Sequence, residues 1–119
     1  MTVSPDLKSQ ILMSARNLRV VLARNARREL GDILLHSGRT WGRTQRDSYK
    51  ALIRRTLTNL ASFPEIGQLR DDLSHGLRSH PLGSHVMYYW IADDTLIVAH
   101  ILHCRQDPEL DDWTFVDER

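Results

Sequence analysis

His85-Val86-Met87-Tyr88-Tyr89-Trp90-Ile91, the pair Asp93-Asp94, and Leu96-Ile97-Val98-Ala99-His100-Ile101-Leu102-His103 decide the fold. Both runs are rich in β-branched and aromatic residues, which favours strands. The acidic pair between them suits a tight turn, so the two strands pair antiparallel. Leu96–His103 is apolar nearly throughout, which predicts a central strand covered on both faces. In the strand before it the side chains alternate. Met87, Tyr89 and Ile91 share one face, while Val86, Tyr88 and Trp90 share the other. One set must enter the core. The other is expected to offer its aromatic rings to a partner, since exposed aromatics mark interfaces.

Working upstream, Gly83-Ser84 is a turn, and Leu77–Leu82 reads as a third strand whose Pro81 places it at an edge or a bulge. Before it come a turn at Pro64-Glu65-Ile66-Gly67 and a polar bridge at Arg70-Asp71-Asp72-Leu73. Further upstream the apolar period changes from two to 3.6. Ala26, Leu30, Ile33, Leu34 and Ser37 line one helical face, with Asn25 as expected N-cap and Gly38 as expected stop. Tyr49, Leu52, Ile53, Leu57, Leu60 and Ala61 line a second helix, started at Thr44 with Asp47 and ended before Pro64. Trp41-Gly42 is the short connection, so the two helices form an antiparallel hairpin. Leu18–Leu22 reads as a first strand. The expected class is α+β: a strand, an antiparallel helical hairpin, then a three-stranded antiparallel meander with the helices on one face.

Residues 1–17 read as an N-terminal extension, in which Leu7, Ile11 and Leu12 could share a short helical face and Met13 is an alternative start. Residues 18–107 form the domain. Residues 108–119 are an acidic tail carrying two aromatic anchors, Trp113 and Phe115.

With 119 residues, 41% of them hydrophobic and 26% charged, the chain fits one globular domain and not a disordered one. No apolar run approaches the roughly 20 residues of a membrane helix, and no signal-peptide pattern opens the chain. The one cysteine, Cys104, excludes an internal disulfide and any cysteine-rich zinc module. A reducing cytoplasm is the expected compartment.

The net charge of +1 hides an asymmetry. Residues 1–63 carry 12 basic and 4 acidic side chains, whereas residues 64–119 carry 4 and 11. Of the 16 basic residues, 14 are arginines, whose planar forks suit carboxylates and phosphates. The basic half therefore suggests an anionic partner, with a solvated arginine face as the plainer alternative. The overall balance argues against strong direct nucleic-acid binding.

Five of the six histidines fall between positions 75 and 103. None shows zinc-ligand spacing, and His100 and His103, three apart on a strand, face opposite ways, so no metal is expected. His103 with Arg105 is expected to be structural, tying the strand end to the Arg70–Asp72 bridge. The charges of Arg70, Asp71, Asp72 and Arg78 fit either a self-paired network or a partner surface.

An ordered set of motifs resembles the RelE/ParE superfamily of type II toxin–antitoxin toxins, closer to its ParE branch. The set runs from Arg24-Asn25-Ala26 with Leu30 and Ile33, through Trp41-Gly42 and Tyr49, to Phe63-Pro64-Glu65-Ile66-Gly67 and Arg70-Asp71-Asp72-Leu73. It continues with Gly76-Leu77-Arg78-Ser79, Gly83-Ser84-His85-Val86 and Asp93-Asp94. It ends at Ile101-Leu102-His103-Cys104-Arg105 with Asp107, where the family usually has Gly at the Cys104 position. The resemblance spans roughly residues 18–107. It implies a toxin silenced by a cognate, ParD-like antitoxin. In the ParE branch such a toxin inhibits DNA gyrase by binding, with no catalytic residues and no cofactor of its own. In the RelE branch it is a ribosome-dependent messenger RNA endoribonuclease. For that alternative Arg70, Arg78, His85 and Arg105 would be the phosphate and proton-transfer groups.

The residues favour the ParE branch. The C-terminal half has no lysine and no tyrosine after Arg105, and its Asp107, Glu109, Asp111 and Asp112 would repel an RNA backbone. The expected antitoxin-binding residues are Arg27, Arg28, Arg46 and Arg54 on the helical hairpin, with Tyr88 and Trp90. The expected target-facing set is Arg70, Asp72, Arg78, His85, His103 and Arg105.

Overall fold

The computed structural model describes residues 16–113. Strand β1 spans Arg19–Leu22, helix α1 Arg24–Trp41 and helix α2 Arg43–Ser62. Strands β2 Gln68–Leu69, β3 Arg78–Leu82, β4 His85–Ala92 and β5 Thr95–His103 follow, with single 3-10 turns at Pro64–Ile66 and Pro108–Leu110. The sheet order is β1-β5-β4-β3-β2. The expected meander β3-β4-β5 is present, and β1 joins it parallel to β5. Two-residue turns close both hairpins, with Gly83 at φ 59° and Asp93 at φ 55°. Those left-handed dihedrals match the twist of the strands they join. Two-residue β2, paired with Ser79 and Arg78, is an addition to the expected architecture. It is too short to leave a period in the sequence. Pro81 sits opposite Val86, past the residues that β2 covers, so its missing N–H interrupts no ladder there.

Each helix end differs from its sequence signal for a local reason. The Ala23 N–H donates to Val98 O, extending the β1 ladder by one residue, and α1 begins at the next residue. Ala23 is thus the N-cap, and Asn25 is already inside the helix. Gly38 is not the stop. A Cβ at Gly38 would lie 3.3 Å from Arg46 Cδ, so its bare face lets the two helices approach. The break falls at Gly42, whose φ of 88° favours glycine. Gly42 caps α1 at one end and α2 at the other, and α2 starts at Arg43 without a side-chain cap from Thr44.

The helical hairpin packs on one face of the sheet. Ala26, Ile53 and Leu60 meet Met87, Tyr89, Leu96, Val98 and Ile101 there. Each of the large side chains among them taken from water contributes about 1.5–3 kcal/mol. The other face buries Tyr88, Trp90, Ala99 and Leu102 against Leu77, with Leu73 and Trp113 packed over them. A β-bulge marks the centre of the sheet. Tyr88 pairs with His100 and Tyr89 with Val98, leaving Ala99 as an extra residue on β5.

Candidate functional site: a basic groove and a histidine cleft

The arginines of the hairpin gather in one place and scatter elsewhere. A groove of about 730 Å³ runs between α1 and α2. Leu34 and Leu35 contribute apolar surface to it, and Arg39, Arg43, Arg46 and Lys50 bring its positive charge. Arg46 is the one expected antitoxin-binding arginine that lines it. Its Nε stands 3.6 Å from the Asp47 carboxylate, too far for a hydrogen bond. Arg27 and Arg28 lie exposed on α1 outside this lining, and Arg54 lines a separate shallow depression with Arg55 and Thr58. Sequence reasoning missed Leu35, which lies off the apolar stripe of α1 and is 53% exposed. It also missed Lys50. The available signal was Arg39 and Arg43, four residues apart across the helix break at Gly42.

Tyr88 and Trp90 are not an exposed pair. They are 4% and 7% exposed, covered by the loop before β3 and by the C-terminal segment. The Trp113 ring lies 4.9 Å from the Tyr88 ring and 5.0 Å from that of His100, and its Nε1 donates to Pro108 O. The expectation that the acidic segment docks through its aromatics therefore holds for Trp113. Phe115 lies outside the described residues. Trp90 Nε1 donates to His75 O at 3.3 Å, which fixes the loop against the sheet.

The six expected target-facing residues divide among four places. Arg70 and Asp72 pair with each other bidentately, at 3.0 and 2.9 Å. The guanidinium holds the Asp72 carboxyl below its ordinary range, and the same guanidinium lies 6.0 Å from the Tyr88 ring centroid. Arg78 donates to the carbonyls of Glu65 and Gly67, pinning the turn after α2. It pairs with Tyr89, four residues along β4 from His85, a separation of about 13 Å at strand rise. Arg105 is exposed beyond β5. Its N–H donates to His103 Nδ1, and the His103 N–H donates to Gln106 Oε1. The His103–Arg105 contact is thus a local turn rather than a tie to the Arg70–Asp72 bridge, whose two ends satisfy one another.

His85 and His103 are brought together. They pair across β4 and β5, with ring centroids 5.3 Å apart and edge-on. Tyr49 of α2 joins them: its hydroxyl donates to Leu82 O at 2.8 Å and lies 2.7 Å from His85 Nδ1. Burial and the neighbouring His103 lower the His85 pKa, which keeps that ring neutral at neutral pH. The three rings line a cleft of about 610 Å³ between the hairpin and the sheet, whose other walls include Asp32, His36 and Trp41. His100 lies away from this pair, against Trp113 and Glu29. Among the described residues no three His, Cys, Asp or Glu side chains gather as metal ligands. No helix of the described residues is long and apolar enough to cross a membrane.

This architecture has counterparts among known proteins. The family model of the ParE toxin of type II toxin-antitoxin system, parDE, matches residues 20–108. Toxin ParE1 of Caulobacter vibrioides is 33% identical over 82 residues, covering 69% of this chain and 84% of its own. The solved structure of the chromosomal ParDE TA system from P. aeruginosa superposes with a TM-score of 0.62 at 16% identity. That match covers 73% of this chain and 96% of the other, and it shows the shared fold. The chain is a toxin of the type II toxin–antitoxin class. Within that class it belongs to the ParE family.

Proposed function

We propose that this toxin arrests growth by binding DNA gyrase, and that a cognate ParD-like antitoxin neutralises it. One observation carries the choice over RNA cleavage. The groups an endoribonuclease would need around one phosphate do not converge: Arg70 is held by Asp72, Arg78 by two backbone carbonyls, and no arginine lines the cleft that holds His85. Acid–base chemistry on a phosphodiester needs its cations and proton-transfer groups within hydrogen-bond reach of one site. A toxin that works by contact needs no such convergence.

The antitoxin contact falls on the groove between α1 and α2. Its leucines and four cations suit an amphipathic segment with acidic flanks, of the kind that folds on binding. The partner's class is supported by the P. aeruginosa neighbour, a chromosomal ParDE system. Toxin, antitoxin and gyrase would then meet in the cytoplasm.

The test is pulse labelling of DNA and protein synthesis after inducing the chain alone in bacterial cells. Early arrest of DNA synthesis with translation continuing supports the gyrase reading. Early arrest of translation overturns it in favour of the RelE-like activity.

A further inference from the structure

The two histidines of the cleft hold their protons in opposite senses. The Arg105 N–H donates to His103 Nδ1 at 3.1 Å, so that nitrogen carries the lone pair and neutral His103 keeps its proton on Nε2. Tyr49 has one hydroxyl proton, and Leu82 O accepts it. The 2.7 Å contact between Tyr49 Oη and His85 Nδ1 is then a donation from His85, which leaves the His85 Nε2 lone pair free. Among the described residues neither Nε2 has a hydrogen-bond partner. The cleft is therefore lined by one ring whose Nε2 is a donor and one whose Nε2 is an acceptor, their centroids 5.3 Å apart. The Trp41 indole, 65% exposed and edge-on to His36, walls the same cleft.

A donor beside an acceptor, with a flat aromatic wall, matches a planar group that both accepts and donates. A carboxamide carries both complements, a carbonyl acceptor for the one nitrogen and an N–H donor for the other. A carboxylate does not fit, because it would set lone pairs against His85 Nε2 and stand near Asp32. Asp32 equally disfavours a phosphate-bearing ligand, and none of the arginines lines this cleft. We infer that the cleft between the hairpin and the β4–β5 end is a docking pocket for a glutamine or asparagine side chain of a partner protein. Tyr49 is its positioning residue, fixing the His85 tautomer. The inference rests on the proposed reading only for the idea that this toxin works through protein contacts.

The test needs neither gyrase nor antitoxin, so its failure is separable from failure of that reading. The full chain, labelled with 15N, is titrated with benzamide, benzoate and acetophenone, following the Trp41 indole N–H and the His85 and His103 ring signals by NMR. Benzamide is expected to shift all three. Benzoate, with no donor and a charge, and acetophenone, with no donor, are expected to bind at least about tenfold more weakly, because a site built to pair both groups rejects analogues lacking one. Trp41→Ala, at an exposed position, should weaken all three probes and keep their order. Tyr49→Phe should keep benzamide binding and narrow its lead over benzoate, as the His85 tautomer is released. Equal affinity for benzamide and benzoate overturns the inference, as does the absence of shifts at the three signals. Tighter binding of adenosine monophosphate than of benzamide also overturns it and assigns the cleft to a nucleotide.

Discussion

The carboxylate of Glu29 on α1 meets the imidazole of His100 on β5 at 2.9 Å, in a setting where both side chains are largely buried. Its second oxygen accepts the Ile101 N–H, also at 2.9 Å. β1 pairs with β5 only as far as Val98, and the bulge at Ala99 follows immediately. Glu29 therefore takes the place of a missing strand, satisfying a backbone donor that would otherwise be buried unpaired. Glu29→Ala is expected to cost about 1.5–3 kcal/mol, read as a lower urea midpoint with an unchanged slope.

The same pair gives the protein a pH signature. The hydrogen bond to Glu29 raises the His100 pKa above its ordinary 6.5, outweighing burial, and the charges of Glu29 and Asp111 add to the rise. A group whose pKa is raised by folding stabilises the fold fully below its unfolded value of about 6.5, and loses that contribution as pH climbs through the folded value. His80 and His85, lowered by burial, act in the opposite sense and weaken the fold as pH falls below about 6.5. The cleanest reading is a difference: the stability gap between wild type and Glu29→Gln should be wider at pH 6 than at pH 8.5. A gap independent of pH would show that Glu29 does not raise the His100 pKa in the folded state.

A tyrosine holds the turn after α2. The buried Tyr89 hydroxyl donates to Pro64 O and accepts the Gly67 N–H at 3.0 Å. A Cβ at Gly67 would fall within 2.2 Å of that hydroxyl oxygen, so glycine is required by close approach rather than by its backbone angles. Tyr89→Phe should cost about 1–3 kcal/mol for the unpaired backbone groups, and Gly67→Ala about the same through overpacking. The double variant should be less unstable than the sum, because removing the hydroxyl relieves the tightest contact, although two ring carbons would still lie 2.8 and 2.9 Å from the methyl. A thermodynamic cycle in urea measures this coupling, and simple additivity would contradict it.

Two glycines of the hairpin should respond to alanine in opposite directions. Gly31 lies within α1 with no atom within 4 Å of a built Cβ, so Gly31→Ala should gain about 0.5–1 kcal/mol of helix propensity. Gly42 at φ 88° also has open space, but its backbone angle penalises a side chain, and Gly42→Ala should lose about 1–2 kcal/mol. Thermal unfolding of the two variants gives the signs directly.

The sequence carried the strands through composition, runs of β-branched and aromatic residues between turn signals, and the helices through a period of 3.6 in Ala26–Ser37 and Tyr49–Ala61. It misplaced the helix ends because those were set by neighbours. The β1 ladder ends at Ala23, and the approach of Arg46 to Gly38 moved the break to Gly42. Strand alternation sorted Tyr88 and Trp90 correctly onto the face opposite Tyr89. It could not tell that the upstream 73–77 loop and the downstream Trp113 would cover them, since those contacts have no local signature. The site divided in the same way. His85 and His103 stood out by type, but their meeting depends on the β4–β5 register, and Tyr49 reaches them only through the fold of the hairpin onto the sheet. Glu29 left one faint signal, an acid beside the apolar stripe of a helix otherwise rich in arginine.

Trp113 completes the second face of the sheet. It covers Tyr88 and His100, its carbonyl accepts from Ser74 Oγ at 3.1 Å, and its indole N–H is satisfied by Pro108. Truncating it uncovers aromatic surface on both β4 and β5 while leaving the helical face untouched. Trp113→Ala should therefore cost about 2–4 kcal/mol, toward the low end of values for large core aromatics because the ring is only partly buried. Trp113→Phe should recover much of the loss, since packing rather than the Pro108 hydrogen bond supplies most of the energy. Hydrogen exchange would locate the damage. Faster exchange confined to β4, β5 and the 70–77 loop is the expected pattern, whereas uniform loss across α1 and α2 would mean that the two faces fold as one cooperative unit.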